Sequence, residues 1–175
     1  VAVLKHFIWQ IKRKLAGLGV DHHLMPVLVG KGQFGKSRAV IKFLESGLSG
    51  LFFSAEFHVF SDPREKGIFS KYPVIYFDEM AKANKADLGS LKSTITSDHI
   101  SQRIMTKTEH SVKPNIATLI GTSNDPIDTL IRDENVRRFY TIQINEKMDW
   151  AAVNSMDYDK IWASISEDEE CPIQG

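Results

Sequence analysis

The sequence predicts one α/β domain built around a largely parallel sheet. Short apolar runs rich in β-branched and aromatic residues alternate with segments of helical periodicity, as in βαβ units. The first of these runs leads through a glycine-rich loop into a helical pattern. The chain has 175 residues, of which 42% are hydrophobic and 25% charged. This length and composition are typical of a single globular domain and exclude a disordered or collagen-like chain.

An amphipathic helix is expected at the start of the chain. Apolar residues recur at spacings of three and four between residues 3 and 18, and Gly17 and Gly19 mark the end of the pattern. We expect residues 1–20 to pack on the core through this apolar face. The opposite face carries three basic side chains that we expect to be solvated: Lys5, Lys12 and Lys14.

Four further apolar runs predict the strands of the sheet. They lie at residues 25–29, 73–77, 116–120 and 139–144. Near-continuous apolar runs of this kind are typical of parallel strands buried on both faces. Residues 51–60 show no clear pattern.

Helices and one hairpin connect these strands. Residues 37–44 predict a helix that ends near Gly47, and residues 80–96 predict another. Residues 100–112 are rich in β-branched and polar side chains and predict an inserted β-hairpin. We therefore expect residues 21–150 to form the core.

Charge and cysteine content exclude some classes of protein. The 22 Lys and Arg residues balance 22 Asp and Glu residues, but basic residues dominate positions 1–50 and acidic ones positions 151–175. This asymmetry is typical either of nucleic-acid contact or of a solvated basic helix face, and composition does not decide between them. The acidic stretch 166–170 is expected to be a solvated, frayed tail. The single Cys171 excludes an intramolecular disulfide, and a free thiol favours a cytoplasmic location. No apolar run is long enough to span a membrane, so we expect no membrane partner.

The glycine-rich loop matches the pattern G-x-x-x-x-G-K-[ST] at every fixed position. Its glycines allow backbone N–H groups to surround a phosphate at the start of a helix, where the helix dipole favours an anion. Lys36 is expected to reach the β- and γ-phosphates of ATP, and the Ser37 hydroxyl to bind Mg²⁺. The pattern predicts a P-loop NTPase, with these cofactor-binding candidates: Gly30, Lys31, Gly32, Gln33, Phe34, Gly35, Lys36, Ser37 and Arg38.

Polar side chains follow two later strands. Asp78 and Glu79 come directly after the apolar run 73–77. We expect Asp78 to hold Mg²⁺ and Glu79 to act as the general base that deprotonates the attacking water. Asn124 follows the next apolar run, on a strand that we expect between the other two, and is predicted to contact the γ-phosphate or the water. A P-loop kinase is the less favoured enzyme class because it needs no water-activating base.

Two arginines precede the last apolar run. A guanidinium of Arg137 or Arg138, reaching the γ-phosphate bound to a neighbouring subunit, would stabilise the transition state as an arginine finger does. Arg132 is a weaker candidate. The alternative is that these are surface arginines paired with Asp133 and Glu134.

The order of these motifs resembles that of a superfamily 3 helicase domain. The similarity covers about residues 25–145 and is closest to the virulence-associated E and phage or plasmid primase-helicase branch. The resemblance implies an AAA+-like three-layer fold and a ring ATPase, usually a homohexamer, that moves on single-stranded DNA and is often joined to a primase. An initiator or loader ATPase without processive unwinding is the alternative.

In that family the segment between the second and third motifs supplies a DNA-tracking hairpin. The resemblance implies the following DNA-binding candidates in this chain: Lys92, Arg103, Lys107, His110 and Lys113.

Overall fold

A parallel five-stranded sheet lies at the centre of the computed structural model, which describes residues 2–103, 110–127 and 137–173. The strands of this sheet are β1 (Met25–Val29), β2 (Phe52–Ala55), β3 (Val74–Phe77), β6 (Thr118–Ser123) and β7 (Phe139–Gln143). Their order across the sheet is β2-β3-β6-β1-β7, and each adjacent pair is parallel. The expected α/β class with a largely parallel sheet is confirmed, and β6 lies between β3 and β1 as expected.

Helices cover both faces of the sheet. The helices are α1 (Ala2–Leu15), α2 (Lys36–Leu48), α3 (Lys85–Thr96), α4 (Trp150–Ser155) and α5 (Tyr158–Ala163). Helices α1, α2 and α5 pack on one face, whereas α3 and two 3₁₀ segments, Phe57–Phe60 and Glu65–Ser70, pack on the other. No helix in the described ranges is long and apolar enough to cross a membrane.

Alternation along the strands explains why both faces are apolar. In β3, Val74 and Tyr76 join the cluster with α1 and α2, while Ile75 and Phe77 join the cluster with α3. All four side chains are at most 1% exposed. Burial on both faces is what the near-continuous apolar runs predicted.

Helix α1 differs from the expectation of a solvated basic face. Lys12 and Lys14 are half-buried, and their ammonium groups donate to the carbonyls of Ile165 and Ala117. Their long stems pack along the protein while the charged ends reach backbone acceptors. Only Lys5 of the three basic residues is fully exposed.

Two element boundaries also differ from the predictions. The helix expected over residues 80–96 is split into a 3₁₀ turn, Met80–Lys82, and α3. The side chain of Asn84 caps α3 and forms a reciprocal capping box with Asp87, which fixes the helix start at Lys85. The strand expected at residues 116–120 begins two residues later and extends to Ser123, because pairing with β1 continues that far.

The expected hairpin is present as strands β4 (His99–Arg103) and β5 (His110–Pro114), which are antiparallel. At its base, the amide of Asn115 donates to the carbonyls of Thr94 and Ser97 at the end of α3. The hairpin is therefore anchored to α3, while its middle residues lie outside the described ranges.

The backbone of the acidic C-terminal stretch contacts helix α1. The carbonyl of Glu169 accepts a hydrogen bond from the Trp9 indole, and that of Glu167 accepts one from Arg13. The side chains of residues 168–170 are exposed, as expected for acidic groups. The backbone of the stretch thus follows α1 although its charges face solvent.

Candidate functional site

The glycine-rich loop joins the carboxyl end of β1 to the start of α2. Gln33 and Gly35 both have left-handed backbone conformations, with φ of 64° and 91°. In the described part of the chain, the backbone N–H groups of residues 32–35 donate to no other group. Unpaired N–H groups in a loop of this shape, at a helix N-terminus, form a concave binding site for an anion.

The segment of residues 144–150 packs against the glycine-rich loop. A Cβ atom on Gly30 would lie 2.4 Å from the Ile144 carbonyl oxygen, and one on Gly35 would lie 2.8 Å from a ring carbon of Trp150. Both positions therefore require glycine. The N–H of Met148 also donates to the Phe34 carbonyl at 2.9 Å. The sequence analysis assigned no role to residues 144–150.

Arg38 lies on the first turn of α2 beside this support. Its guanidinium carbon stands 4.6 Å from the centre of the Trp150 ring, within range of a cation–π contact. Lys31 is exposed at the loop surface.

Lys36 is buried beneath the loop, with 6% of its surface exposed. Its ammonium group donates to the carbonyl of Gly30 at 2.7 Å, to that of Lys31 at 3.0 Å, and to Oδ1 of Asn124 at 2.9 Å. These three bonds use all three donors of the ammonium group. The ammonium group of Lys36 is therefore fully hydrogen-bonded while it stays beneath the loop.

Three hydroxyl groups converge on Asp78. Ser37, Tyr76 and Thr122 each donate to its Oδ1, at 2.9, 2.9 and 2.7 Å. Partial burial is the largest single influence and raises the pKa of Asp78, but the hydroxyl bonds and the nearby Lys82 charge outweigh it and lower the pKa below its ordinary value. Burial raises the pKa of Tyr76 to about 12, so that its hydroxyl stays a donor.

Ser37 and Asp78 form a pair of hard oxygen ligands. Mg²⁺ typically takes only one or two protein oxygens and completes its shell with phosphate oxygens and water. A hydroxyl and an ionised carboxylate 2.9 Å apart, beside an anion-binding loop, fit this requirement. The described residues contain no cluster of three or more His, Cys, Asp or Glu side chains that could hold a metal by themselves.

Glu79 and Asn124 meet at the ends of β3 and β6. Glu79 has a left-handed backbone, with φ of 61°, which is uncommon outside glycine. Its Oε2 accepts from the Asn124 side-chain amide, and its Oε1 accepts from the Asn124 backbone N–H at 3.1 Å. The N–H of Glu79 in turn donates weakly to the Thr122 hydroxyl at 3.3 Å.

One amide therefore links the lysine of the loop to the glutamate of β3. Asn124 accepts from Lys36 through Oδ1 and donates to Glu79 through Nδ2. Lys36, Asp78, Glu79 and Asn124 were selected from three separate stretches of sequence, and the structure brings them together at the carboxyl ends of three adjacent strands. Tyr76 and Thr122, which orient Asp78, were not selected.

Arg137 and Arg138 lie at the amino ends of the strands, opposite the glycine-rich loop. They precede β7, whose first residue Phe139 pairs with Met25 at the start of β1. Five strand residues at about 3.3 Å each separate that level from the loop, or roughly 16 Å. Arg138 is half-buried and donates to the Lys92 carbonyl at 2.9 Å, whereas Arg137 is exposed. Neither arginine contacts the loop of its own chain.

Two of the DNA-binding candidates, Lys92 and Lys113, have described surroundings, and these differ. Lys113 is exposed and borders a groove of about 790 Å³, together with Phe53 and Lys71. Lys92 is half-buried next to Arg138. Arg103 and His110 are paired in the β4–β5 register. Lys107 lies outside the described residues, and so does the finger candidate Arg132.

The family model described as the virulence-associated protein E-like domain matches residues 2–168. The chain belongs to this family. The virulence-associated E branch expected from the order of the motifs is thereby confirmed, whereas the superfamily 3 helicase assignment stays a prediction. None of the curated proteins compared with the chain matches it.

Solved structures of the NrS-1 C-terminal region have a similar fold. One A form apo structure, of residues 305–718, is 16% identical with a TM-score of 0.57 and aligns with 91% of this chain. A second A form apo structure is 15% identical with a TM-score of 0.59 and aligns with 93%. A further apo structure is 15% identical with a TM-score of 0.59 and aligns with 91%. The chain spans only 37% to 42% of the length of these relatives.

Proposed function

We propose that the chain is a Mg²⁺-dependent ATPase module of the P-loop, AAA+-like class and that it acts as a superfamily 3 DNA helicase. The observation that carries the proposal is the meeting of four groups at the carboxyl ends of β1, β3 and β6: the anion-binding loop, the Ser37–Asp78 oxygen pair, the buried Lys36 and the Glu79–Asn124 pair. In open α/β sheets, ligands bind outside these strand ends where the strand order reverses. Here β1 is that point, since the chain leaves it for β2 at the far edge.

Each binding group has a separate task. The N–H groups of residues 32–35 bind phosphate oxygens, and Lys36 supplies positive charge to them. Ser37 and Asp78 hold Mg²⁺, which neutralises the charge that develops on the phosphates during transfer. Asp78 is ionised at neutral pH, and its lowered pKa extends the ionised range to more acidic pH.

Glu79 is the general base of the proposed reaction. It accepts a proton from a water molecule whose oxygen bonds to the γ-phosphorus while the bond to the β-phosphate oxygen breaks, giving ADP and phosphate. In the structure its carboxylate is bonded to Asn124. A γ-phosphate that draws Lys36 away from Asn124 frees the amide to reorient, and thereby frees Glu79 to bind water.

The arginines at the other edge of the sheet act on a neighbouring subunit. Since Arg137 and Arg138 lie far from the loop of their own chain, they reach a γ-phosphate only across a head-to-tail contact between subunits. Such contacts close into a ring when the rotation between subunits closes, and the family resemblance favours a homohexamer. Arg137 is the better finger because it is exposed, while Arg138 is held by the Lys92 carbonyl.

Single-stranded DNA is the proposed track. Lys113 and Lys71 border the same groove as the aromatic side chain of Phe53, which is 39% exposed. Basic groups beside an aromatic ring suit sequence-independent binding of single strands. We propose that the chain is a cytoplasmic module of a longer replication protein of a phage, plasmid or mobile element, joined to or partnered with a primase.

The experiment that tests the ATPase assignment compares nucleotide binding with turnover. Lys36→Ala should lose ATP binding, because a buried cation that contacts phosphate is removed. Glu79→Gln should bind ATP but release phosphate at least about 100-fold more slowly, within the range that a general base contributes. Matched controls are Lys5→Ala and Glu45→Gln, whose side chains are exposed outside the site.

Each outcome bears on the proposal. Normal turnover in both site variants would overturn it. Phosphate transfer to an added small molecule would favour a kinase, and ATP hydrolysis without strand separation by the assembled protein would favour an initiator or loader.

A further inference from the structure

A second polar cavity lies at the amino ends of β1 and β7, opposite the nucleotide site. Its volume is about 370 Å³. We call it the amino-edge pocket, and its lining residues are His22, His23, Leu24, Thr96, Arg137, Arg138 and Ile173. Residues with two guanidinium groups, two imidazoles and a hydroxyl therefore line one cavity, and none of the described residues that line it carries a carboxylate side chain.

Two charged groups of opposite sign, Lys14 and Asp98, act on His23 of the pocket. Burial is the largest influence on the pKa of His23 and lowers it. The charge of the nearby Lys14 lowers this pKa further, to about 4. Asp98 is the carboxylate of the described residues that acts on both Lys14 and His23, in the direction of stabilising their charged forms. His23 is thus neutral at pH 7, and Nδ1 of its ring is buried without a hydrogen-bond partner among the described residues.

The carbonyl end of α3 would normally oppose an anion here. That end is already satisfied, because Asn115 donates to the carbonyls of Thr94 and Ser97. Arg138 donates to the Lys92 carbonyl, so its guanidinium is held in place with other N–H donors unused. The Thr96 hydroxyl donates to the Ser93 carbonyl at 3.4 Å, a weak bond that a phosphate oxygen would replace. The remaining N–H donors of Arg138 have no acceptor on the end of α3 among the described residues.

We infer that the amino-edge pocket is a phosphate-binding site in which His22, His23 and Thr96 act together with Arg137 and Arg138. A tetrahedral oxyanion suits planar, permanently charged guanidinium groups. The neutral imidazole of His23 and the Thr96 hydroxyl can each donate without adding charge, which places the phosphate without holding it too tightly for release.

The inference that this phosphate belongs to a nucleotide rests on the proposed function. In a head-to-tail ring, the amino edge of one subunit meets the carboxyl edge of the next, so the pocket receives the terminal phosphate of the nucleotide held by its neighbour. His22 and Thr96 then join Arg137 as residues that act across the subunit contact.

The binding test uses the Lys36→Ala variant, which removes the phosphate site of the loop. Inorganic pyrophosphate is titrated while the ring resonances of the six histidines are followed by NMR. The signals of His22 and His23 should shift with saturation, and the shift should disappear when Arg137→Gln and Arg138→Gln are added. Arg64→Gln, remote from the pocket, is the matched control. Absence of a shift, or one that survives loss of both arginines, would overturn the inference.

The second arm distinguishes the source of the phosphate in the otherwise wild-type chain. His22→Asn changes an exposed side chain and should lower kcat about threefold to tenfold at high protein concentration, as expected for one lost hydrogen bond, with KM for ATP and DNA affinity unchanged. A loss of single-stranded DNA affinity with unchanged kcat would overturn the nucleotide source in favour of nucleic acid. If the wild-type chain hydrolyses no ATP, the proposed function fails, while the pyrophosphate titration still decides the pocket.

Discussion

Replacement of Asn124 by alanine is the most informative single change, because this amide joins Lys36 to Glu79. Lys36 is 6% exposed, and in the variant it keeps two carbonyl acceptors and loses the third. A hydrogen bond to a charged group contributes about 1.5–3 kcal/mol. The Glu79 contact is exposed, so water replaces it at little cost. We expect the free energy of unfolding to fall by about 2 kcal/mol, and Tm by about 4–8 °C for a chain of this size.

The assay is urea unfolding of the nucleotide-free protein, followed by tryptophan fluorescence. The matched control is Asn154→Ala, since Asn154 is exposed on α4, and its effect should stay within about 0.5 kcal/mol. A non-hydrolysable ATP analogue provides the second condition. If its γ-phosphate replaces Asn124 as a partner of Lys36, the stability difference between variant and wild type should shrink by at least about half.

Two results would refute this reasoning. An Asn124→Ala variant as stable as Asn154→Ala would mean that the amide does not hold Lys36. A stability difference that is the same with and without the analogue would mean that nucleotide binding leaves the Lys36–Asn124 bond intact.

Three further predictions concern other parts of the structure. Gln10→Leu should lower the free energy of unfolding by about 2–4 kcal/mol, because it leaves the buried N–H and carbonyl of Leu24 unpaired; a loss under about 1 kcal/mol would contradict it. Asp78 has a lowered folded-state pKa, so it stabilises the fold above its ordinary pKa of 3.8, and this contribution is lost as the pH falls further. Asp78→Asn should therefore flatten the acid limb of the stability curve, and an unchanged limb would count against the hydroxyl cluster. Lys113→Ala should weaken single-stranded DNA binding and reduce the salt slope by about 1, whereas Lys5→Ala should leave both unchanged.

The central strands could be predicted because they are buried on both faces. The β1–loop–α2 unit follows from an apolar run, a glycine pattern and a helical period, all of which are local in sequence. Strand β2 was missed because it is a short edge strand in which only Ala55 is buried. An edge strand with exposed side chains leaves no continuous apolar run to detect.

The residues of the candidate site that directly follow a strand could be predicted from the sequence. Asp78, Glu79 and Asn124 follow apolar runs, and parallel strands bring their carboxyl ends to one edge. The contacts of Tyr76 and Thr122 with Asp78 depend on the register between β3 and β6, in which Tyr76 pairs with Ile120 and Phe77 with Gly121. Register of this kind is a long-range property.

Support of the loop by residues 144–150 has the same origin. Gly35 and Trp150 are more than a hundred positions apart, and only the folded chain shows that their close approach requires glycine. The prediction of a solvated basic face on α1 was wrong for a related reason. Lys12 and Lys14 donate to the carbonyls of Ile165 and Ala117, which lie far along the chain.

The most direct test of the central claim is the rate of ATP hydrolysis measured across protein concentration, with and without single-stranded DNA. The account predicts that turnover per chain rises with concentration, since each active site needs the arginines of a neighbour, and rises again when single-stranded DNA is added. It also predicts that Arg137→Ala keeps ATP binding but loses the concentration-dependent part. A turnover that is independent of both concentration and DNA, and unchanged in Arg137→Ala, would contradict the account.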